Sequence, residues 1–254
     1  MFKKVVVRIS TFYVKNEQVN DKIIRIIGPD VNHIKNVLRY QVNDTLEVCD
    51  QSQTRYYTKI DAMSAEEIVL KILETAQNST EAKVKIDLYQ GLPKSDKMDF
   101  IVQKGTELGV STFIPVLTDR VIVKIDEKNG AKKVERWSKI AEEAAKQSGR
   151  QLIPTVENIM KLENFVENLS KYDIVIVPYE CEKESTLKNV LENTGNNVES
   201  IAVVIGPEGG FSEKDIAILE KIPSVKKVSL GKRILRTETA GIAAVAMILY
   251  QYDL

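Results

Sequence analysis

Ile201-Ala-Val-Val-Ile205-Gly206-Pro207-Glu208-Gly209-Gly210-Phe211-Ser212 is the stretch on which the reading of this chain turns. Five apolar residues with no polar alternation read as a strand buried on both faces, as inside a parallel sheet. A glycine turn follows. Ser212 then offers an N-cap, with Asp215 three residues on as in a capping box. Strand, glycine turn and helix start, in that order, present backbone N–H groups and the positive end of a helix dipole to an anion. Glycines also let a ligand approach the main chain closely. The same shape serves equally as a plain turn between strand and helix. Neither G-x-x-x-x-G-K-[ST] nor G-x-G-x-x-G occurs, so the chain carries neither a P-loop nor the dinucleotide fingerprint.

A second glycine turn lies just downstream: Leu230-Gly231-Lys232-Arg233-Ile234-Leu235-Arg236-Thr237-Glu238-Thr239-Ala240. It follows a strand expected at 225–230, half-exposed at its lysines. Upstream, strands are expected at 84–89, 113–117 and 173–177. Helices are expected at 94–108 and 132–148, stopped by Gly109 and Gly149. The second helix has the core stripe Val134, Trp137, Ile140, Ala141, Ala144 and Ala145. Strands alternating with helices indicate an α/β domain with a largely parallel sheet, whose ligands sit outside the strands' carboxyl ends. Pro178-Tyr179-Glu180, Gly206–Gly210 and Leu230-Gly231 each follow a strand and are expected to share one crevice. The last helix, 238–251, is apolar nearly all round, which predicts complete burial in the domain or against a partner subunit.

The first 75 residues follow another rhythm. Short β-branched runs at 5–9, 22–27, 45–49, 55–60 and 68–73, separated by turn residues, suggest a small barrel. His33-Ile-Lys-Asn-Val-Leu-Arg39 interrupts them with helical spacing of residues 34, 37 and 38. A polar stretch, 74–83, reads as a linker. The domains are therefore expected at 1–74 and 75–254.

Whole-chain properties set limits. Thirty-six basic residues balance 36 acidic ones over 254 positions, so net charge announces no nucleic-acid partner. Cys49 and Cys181 lack x-x-C partners, which argues against zinc and for a reducing compartment. The single histidine, His33, cannot anchor a metal cluster. No apolar run is long enough to cross a bilayer, and the early charges of Lys3, Lys4 and Arg8 exclude a signal-peptide core. The expected location is cytoplasmic.

Several pieces now occur together in one order. They are His33–Arg39, Lys97-Met98-Asp99, Gln103-Lys104-Gly105-Thr106-Glu107-Leu108-Gly109, Arg136-Trp137 and Glu143–Ser148, followed by both glycine turns. In this the chain resembles, nearly end to end, the RsmE-type ribosomal RNA methyltransferases of the SPOUT superfamily. Gly105 departs slightly, standing inside a helix where alanine would be commoner, at a cost of about 1 kcal/mol. The resemblance implies a trefoil-knotted α/β SPOUT methyltransferase domain preceded by a small PUA-like β-barrel that binds RNA. It implies S-adenosylmethionine as donor and methylation of N3 of a uridine in 16S rRNA. The implied partners are that rRNA, in the assembled or nearly assembled small subunit, and a second copy of the chain; no membrane is involved. By match, the donor is held by Pro178, Ile205, Gly206, Glu208, Gly209, Gly210, Leu230, Gly231, Ile234, Leu235, Thr239 and Ala240. Arg8, His33 and Arg39 are expected to hold RNA. No metal is expected.

For the chemistry, the charge developing on uracil O2 and O4 needs fixed donors, and Arg236 is the guanidinium placed for it. The N3 proton needs a base. Glu238 is the catalytic choice, with Glu208 as the neighbouring carboxylate; each also has a structural use near a turn or helix start. Two other readings stay open on residues alone. One is a knotted methyltransferase acting on ribose 2′-OH or guanine. The other is a non-catalytic RNA-binding assembly factor.

Overall fold

The computed structural model describes residues 11–76, 79–122, 126–195 and 197–253. These form two compact units, Met1–Glu81 with Lys146–Leu152, and Ala82–Ala145 with Ile153–Leu254.

The first unit carries five strands: β1 (Thr11–Val14), β2 (Ile23–Ile27), β3 (Thr45–Asp50), β4 (Arg55–Met63) and β5 (Glu67–Thr75). They form one sheet in the order β1-β3-β4-β5-β2. β1 runs parallel to β3 and the other neighbours are antiparallel. Period-two burial fixes the register: Ile24 and Ile26 of β2 enter the core, while Arg25 and Ile27 point out. Phe12, Leu46, Val48, Ile60, Ile68 and Leu70 complete that core. The strand expected at 5–9 lies outside the described residues, and β1 was not expected.

The helical segment is less regular than its spacing predicts. Gly28, at φ 79°, caps the single turn α1 (Pro29–Asn32). His33–Val37 then continues as a π turn closed by Leu38 N–H on His33 O at 2.9 Å. The wider turn takes residues three and four on from Ile34 off its face. Ile34 is therefore buried, while Val37 and Leu38 are exposed.

Cys49 on β3 is fully buried, and burial pushes its thiol up to about 11 against the lowering influence of Arg55. Cys181 is exposed. A thiol reagent at pH 8 should therefore modify one cysteine quickly, Cys181, and reach Cys49 only on unfolding; two fast thiols in the native protein would contradict this.

The segment expected as a free linker is tied down. Glu81 accepts hydrogen bonds from Arg150 Nε at 3.1 Å and Gln151 N at 2.7 Å, and Gln151 Oε1 accepts from Thr80 N at 2.6 Å. Tyr13 OH donates to Arg150 O at 2.7 Å. Residues 146–152, assigned by pattern to the second domain, thus belong to the first unit, whose boundary lies after Glu81. A buried Arg–Glu pair with this many donors satisfies charges that would otherwise be costly.

The second unit is a parallel sheet. Its strands are β6 (Lys85–Gly91), β7 (Thr112–Leu117), β8 (Thr155–Val156), β9 (Met160–Lys161), β10 (Ile174–Pro178), β11 (Ser200–Ile205) and β12 (Val225–Val228). The order is β12-β10-β11-β6-β7-β8, with β9 also on β7, and every pairing is parallel. The helices are α2 (Lys97–Leu108), α3 (Glu127–Ser148), α4 (Leu162–Phe165), α5 (Leu187–Thr194), α6 (Glu213–Leu219) and α7 (Thr237–Tyr252). Both sheet faces are covered. Ile201, Val203 and Ile205 of β11 pack on one side, and Ala202 and Val204 on the other with Phe165 and Phe211. That explains the unbroken apolar run. Gly109 and Gly149 end their helices at φ 122° and 70°. Asp99 accepts from Trp137 Nε1 at 3.1 Å and pairs with Arg136, locking α2 to α3.

One expectation is met in part here and one needs correcting. On the last helix Ala244, Val245 and Ile248 are covered within the chain, where α7 meets α2, α5 and the sheet, while Met247 at 45% and Tyr250 at 75% exposed lie on the face the chain itself does not cover. Gly105 is not an incidental weakness: a Cβ there would lie 2.6 Å from the Phe113 ring. Gly105→Ala gains about 1 kcal/mol of helix propensity but overpacks the core at about 1–3 kcal/mol. We expect it to lower the midpoint of thermal unfolding; a raised midpoint would show that Phe113 yields freely.

Candidate functional site

β10, β11 and β12 are neighbours and parallel, so the segments that leave their carboxyl ends converge. Between them lies a cavity of about 640 Å3. Pro178, Ile205, Gly206, Glu208, Gly209, Gly210, Leu230, Gly231, Ile234, Leu235 and Ala240 line it, together with Arg236. Thr239 does not line it; one turn into α7, it faces outward and is exposed. Glu238 is not in the lining, but its carboxylate lies 3.5 Å from Lys97 Nζ, which is. Ser212 and Asp215 do form the expected capping box, with Ser212 N donating to Asp215 Oδ2 at 2.9 Å. Being self-satisfied and outside the lining, they do not offer that helix start to a ligand.

Side chains away from the turns hold the walls in place. Gln90 Nε2 donates to Thr237 Oγ1 at 2.8 Å, and Thr237 Oγ1 donates to Gly206 O at 2.6 Å. This chain links the end of β6, the start of α7 and the first glycine turn. Three glycines allow the approach. A Cβ on Gly91 would fall 2.5 Å from Pro207 N, and one on Gly206 3.1 Å from the Gly210 backbone. Gly241 sets α7 close to β6, where its Cβ would meet Gln90 Oε1 at 3.3 Å. Gly210 adopts φ 67° with the Glu180 carboxylate against it, a conformation that favours glycine. Gly209 instead faces Arg120, which donates from Nη1 to Gly209 O at 2.9 Å.

Charge in the site is uneven. Lys97 Nζ donates to Glu208 Oε1 at 2.8 Å, and Lys94 N–H donates to the same oxygen at 3.1 Å. Burial pushes the Glu208 carboxyl up, but the Lys97 hydrogen bond and backbone donors outweigh it and leave the group below its usual value. The Glu208 hydrogen bond likewise raises Lys97 above an ordinary lysine. Lys232, Arg233 and Arg236 line the cavity with no ion pair recorded among the described residues. Of these groups, Lys97 entered the sequence reading as part of Lys97-Met98-Asp99 and not as a site residue. The missed signal was a lysine at the first position of a helix, where the dipole disfavours a cation.

The residues expected to hold RNA are placed only in part. Arg8 lies outside the described residues. His33 is exposed on the π turn, its ring 6.2 Å from Phe12 and edge-on to it. Arg39 is exposed at φ 58°, an unusual conformation for a non-glycine residue. Its neighbour Tyr40 is fixed by N–H on Ile34 O at 3.0 Å. Among the described residues no cluster of metal-ligating side chains occurs, and no helix is long and apolar enough to cross a membrane.

A family model described as an RNA methyltransferase domain matches residues 80–249, and one described as an RNA methyltransferase PUA domain matches 26–73. The chain is 36% identical over 232 residues to ribosomal RNA small subunit methyltransferase E of Bacillus subtilis, covering 90% of each. To the protein of that name from Aquifex aeolicus it is 31% identical over 239 residues, covering 94% of this chain and 98% of the relative. A putative methyltransferase from Legionella pneumophila, solved with bound cofactor SAM, matches with TM-score 0.83 at 28% identity, covering 98% of this chain and 100% of that one. Ribosomal RNA small subunit methyltransferase E from Neisseria gonorrhoeae, bound to S-adenosyl methionine, matches with TM-score 0.81 at 28% identity, covering 95% and 97%.

Proposed function

Because the chain belongs to the RsmE-type ribosomal RNA methyltransferases, we propose that the atom it methylates is N3 of one uridine in 16S rRNA. It is an S-adenosylmethionine-dependent rRNA methyltransferase. The observation that carries the finer reading is the convergence of both glycine turns on one cavity that also holds Arg236, which has no ion pair among the described residues.

The residues present fit the donor. The cavity volume lies within the roughly 300–1,000 Å3 usual for small-molecule sites. Its walls at Gly206 and Gly210 are bare main chain that a Cβ would obstruct. Glu180 and Glu208 give it carboxylates suited to a sulfonium or an ammonium. Pro178, Ile205, Gly206, Glu208, Gly209, Gly210, Leu230, Gly231, Ile234, Leu235 and Ala240 would hold the donor; Thr239, outside the lining, is not among them. Bound there, S-adenosylmethionine supplies an electrophilic methyl on sulfur, which leaves as a neutral thioether when the ring nitrogen attacks.

The chain's own residues do the rest. Arg236 caps α7, its carbonyl accepting from Ala240 N at 2.8 Å, so its guanidinium is rooted at the cavity rim. There it stabilises the charge developing on uracil O2 and O4. Glu238 accepts the N3 proton as the ring nitrogen's electron pair forms the new N–C bond. His33, Arg39 and Arg8 bind the RNA from the first unit, and the second unit carries the transfer. The target base must leave its stack to reach the cavity.

The return of the chain from β12 at the sheet edge to α7 over β11 and β6 supports a trefoil knot. The exposed Met247 and Tyr250 on an otherwise apolar helix support a homodimer formed through α7. The protein would act in the cytoplasm, on assembled or nearly assembled small subunits.

The test is methyl transfer from labelled donor to naked 16S rRNA and to small subunits, followed by mass spectrometry of the nucleosides. N3-methyluridine from the subunits is expected. A 2′-O-methyl nucleoside, a methylguanosine or no product would overturn the proposal.

A further inference from the structure

Lys97 is the first residue of α2, where a cation opposes the helix dipole and lowers helix stability. Nothing in the packing of α2 requires it there: the buried positions of the helix are Met98, Ile101, Val102, Gly105 and Thr106. Its ammonium instead reaches the donor cavity. There it donates to Glu208 Oε1 at 2.8 Å and lies 3.5 Å from Glu238 Oε2. Glu238 Oε2 is buried and has no hydrogen-bond partner in the structure. One lysine therefore spans two carboxylates from separate chain segments, the turn after β11 and the first turn of α7.

We propose that Lys97 is a positioning residue for methyl transfer, holding Glu208 and Glu238 beside the cavity as two separate carboxylates that share no proton. This rests on the assignment of Glu238 as the base. Two carboxylates crowded together without a cation share a proton, because like charges disfavour double ionisation. A shared proton would occupy the oxygen needed for N3–H. The surrounding charged groups do not replace Lys97. Glu180 adds negative charge, and Lys232, Arg233 and Arg236 have no recorded ion pair with either carboxylate among the described residues. The lysine's 2.8 Å contact is with Glu208, the carboxylate that takes no part in the proton transfer. Glu238 Oε2 thus has the Lys97 charge at 3.5 Å and accepts no hydrogen bond.

Single-turnover methylation of small subunits by the full chain, at saturating donor between pH 6 and 9.5, tests this. Lys97→Met should move the acid limb of the rate up by about one pH unit or more, with the loss largest at the acid end of the range and recovering at high pH. Lys97→Arg should keep the wild-type profile within about threefold. Glu208→Gln, which removes the competing carboxylate, should move the acid limb down; combined with Lys97→Met it should restore much of the lost rate. Calorimetry should give S-adenosylmethionine affinity within about fivefold for Lys97→Arg, and every rate is compared at donor concentrations that saturate the variant measured. A loss in Lys97→Met that is equal at every pH, or no loss at all, would overturn the proposal. So would a double variant no faster than Lys97→Met. Should Lys97→Met not fold, the direction of the Glu208→Gln shift decides by itself, an upward or absent shift counting against. Glu238→Gln at the wild-type rate would instead remove the base assignment and this inference with it. A wild-type chain that transfers no methyl would remove the function.

Discussion

Arg236→Ala should cut turnover by about 100- to 1,000-fold, the size of loss that follows removal of one preorganised donor to a developing anion. Donor affinity should stay within a few fold. The structure supplies both halves of that expectation. Arg236 belongs to the cavity lining, yet among the described residues its guanidinium makes no bond that shapes the walls. Those walls are braced by Gln90, Thr237 and Lys97. Its backbone is the N-cap of α7 and its side chain makes no capping hydrogen bond, so alanine retains the role and stability should hardly change. Lysine should rescue poorly, since it offers no planar pair of donors for O2 and O4. Rapid-quench measurement of the transfer step, beside calorimetric titration of the donor, separates the two effects. If affinity collapses while the transfer rate at saturation survives, Arg236 binds the donor and stabilises no charge.

Gly91→Ala should abolish tight donor binding although Gly91 itself lies outside the cavity lining. Its Cβ would lie 2.5 Å from Pro207 N, 2.7 Å from Pro207 Cδ and 2.8 Å from Gly206 C. Those atoms are backbone or ring and cannot rotate away. The end of β6 or the first glycine turn must therefore move, and the turn is the less constrained of the two, since β6 is paired on both sides. A shift of the turn displaces the main chain that faces the donor. We expect affinity to fall by tenfold or more, about 1.4 kcal/mol at the least, with about 1–3 kcal/mol of lost stability. Gly209→Ala is the contrast. Its Cβ would meet Arg120 Cβ at 3.2 Å, away from the cavity, and its effect on donor affinity should be several-fold smaller. Equal losses in the two variants, or unchanged affinity in Gly91→Ala, would contradict the placement of the turn.

Much of this site was legible in the sequence because it is local. Apolar strand, glycine turn and helix start are neighbours along the chain, so their order alone places Ile205–Gly210 and Leu230–Ala240 at strand ends, and parallel pairing brings the ends together. Lys97 escaped because its partners lie more than a hundred residues away, and its own helix gives no sign of them. Gly91 and Gly105 escaped for the same reason: what excludes their Cβ atoms, Pro207 and Phe113, is chosen by packing between elements. The domain boundary was shifted by a similar effect. Glu81 reads as linker until Arg150 and Gln151, whose backbone and side chains bond to it, are seen to return to the first unit. The tight turn at Arg39 and the π turn before it were invisible because hydrophobic spacing reports an average period and not a local change of hydrogen-bond register.

The central claim is that the two glycine turns wrap the methyl donor. Diffraction from crystals of the full chain grown with S-adenosylhomocysteine tests it most directly. The account predicts density for the ligand between Gly206–Gly210 and Leu230–Ala240, with its sulfur facing the Arg236 side of the cavity. Ligand density elsewhere, or none between those turns at concentrations that saturate binding in solution, would contradict it.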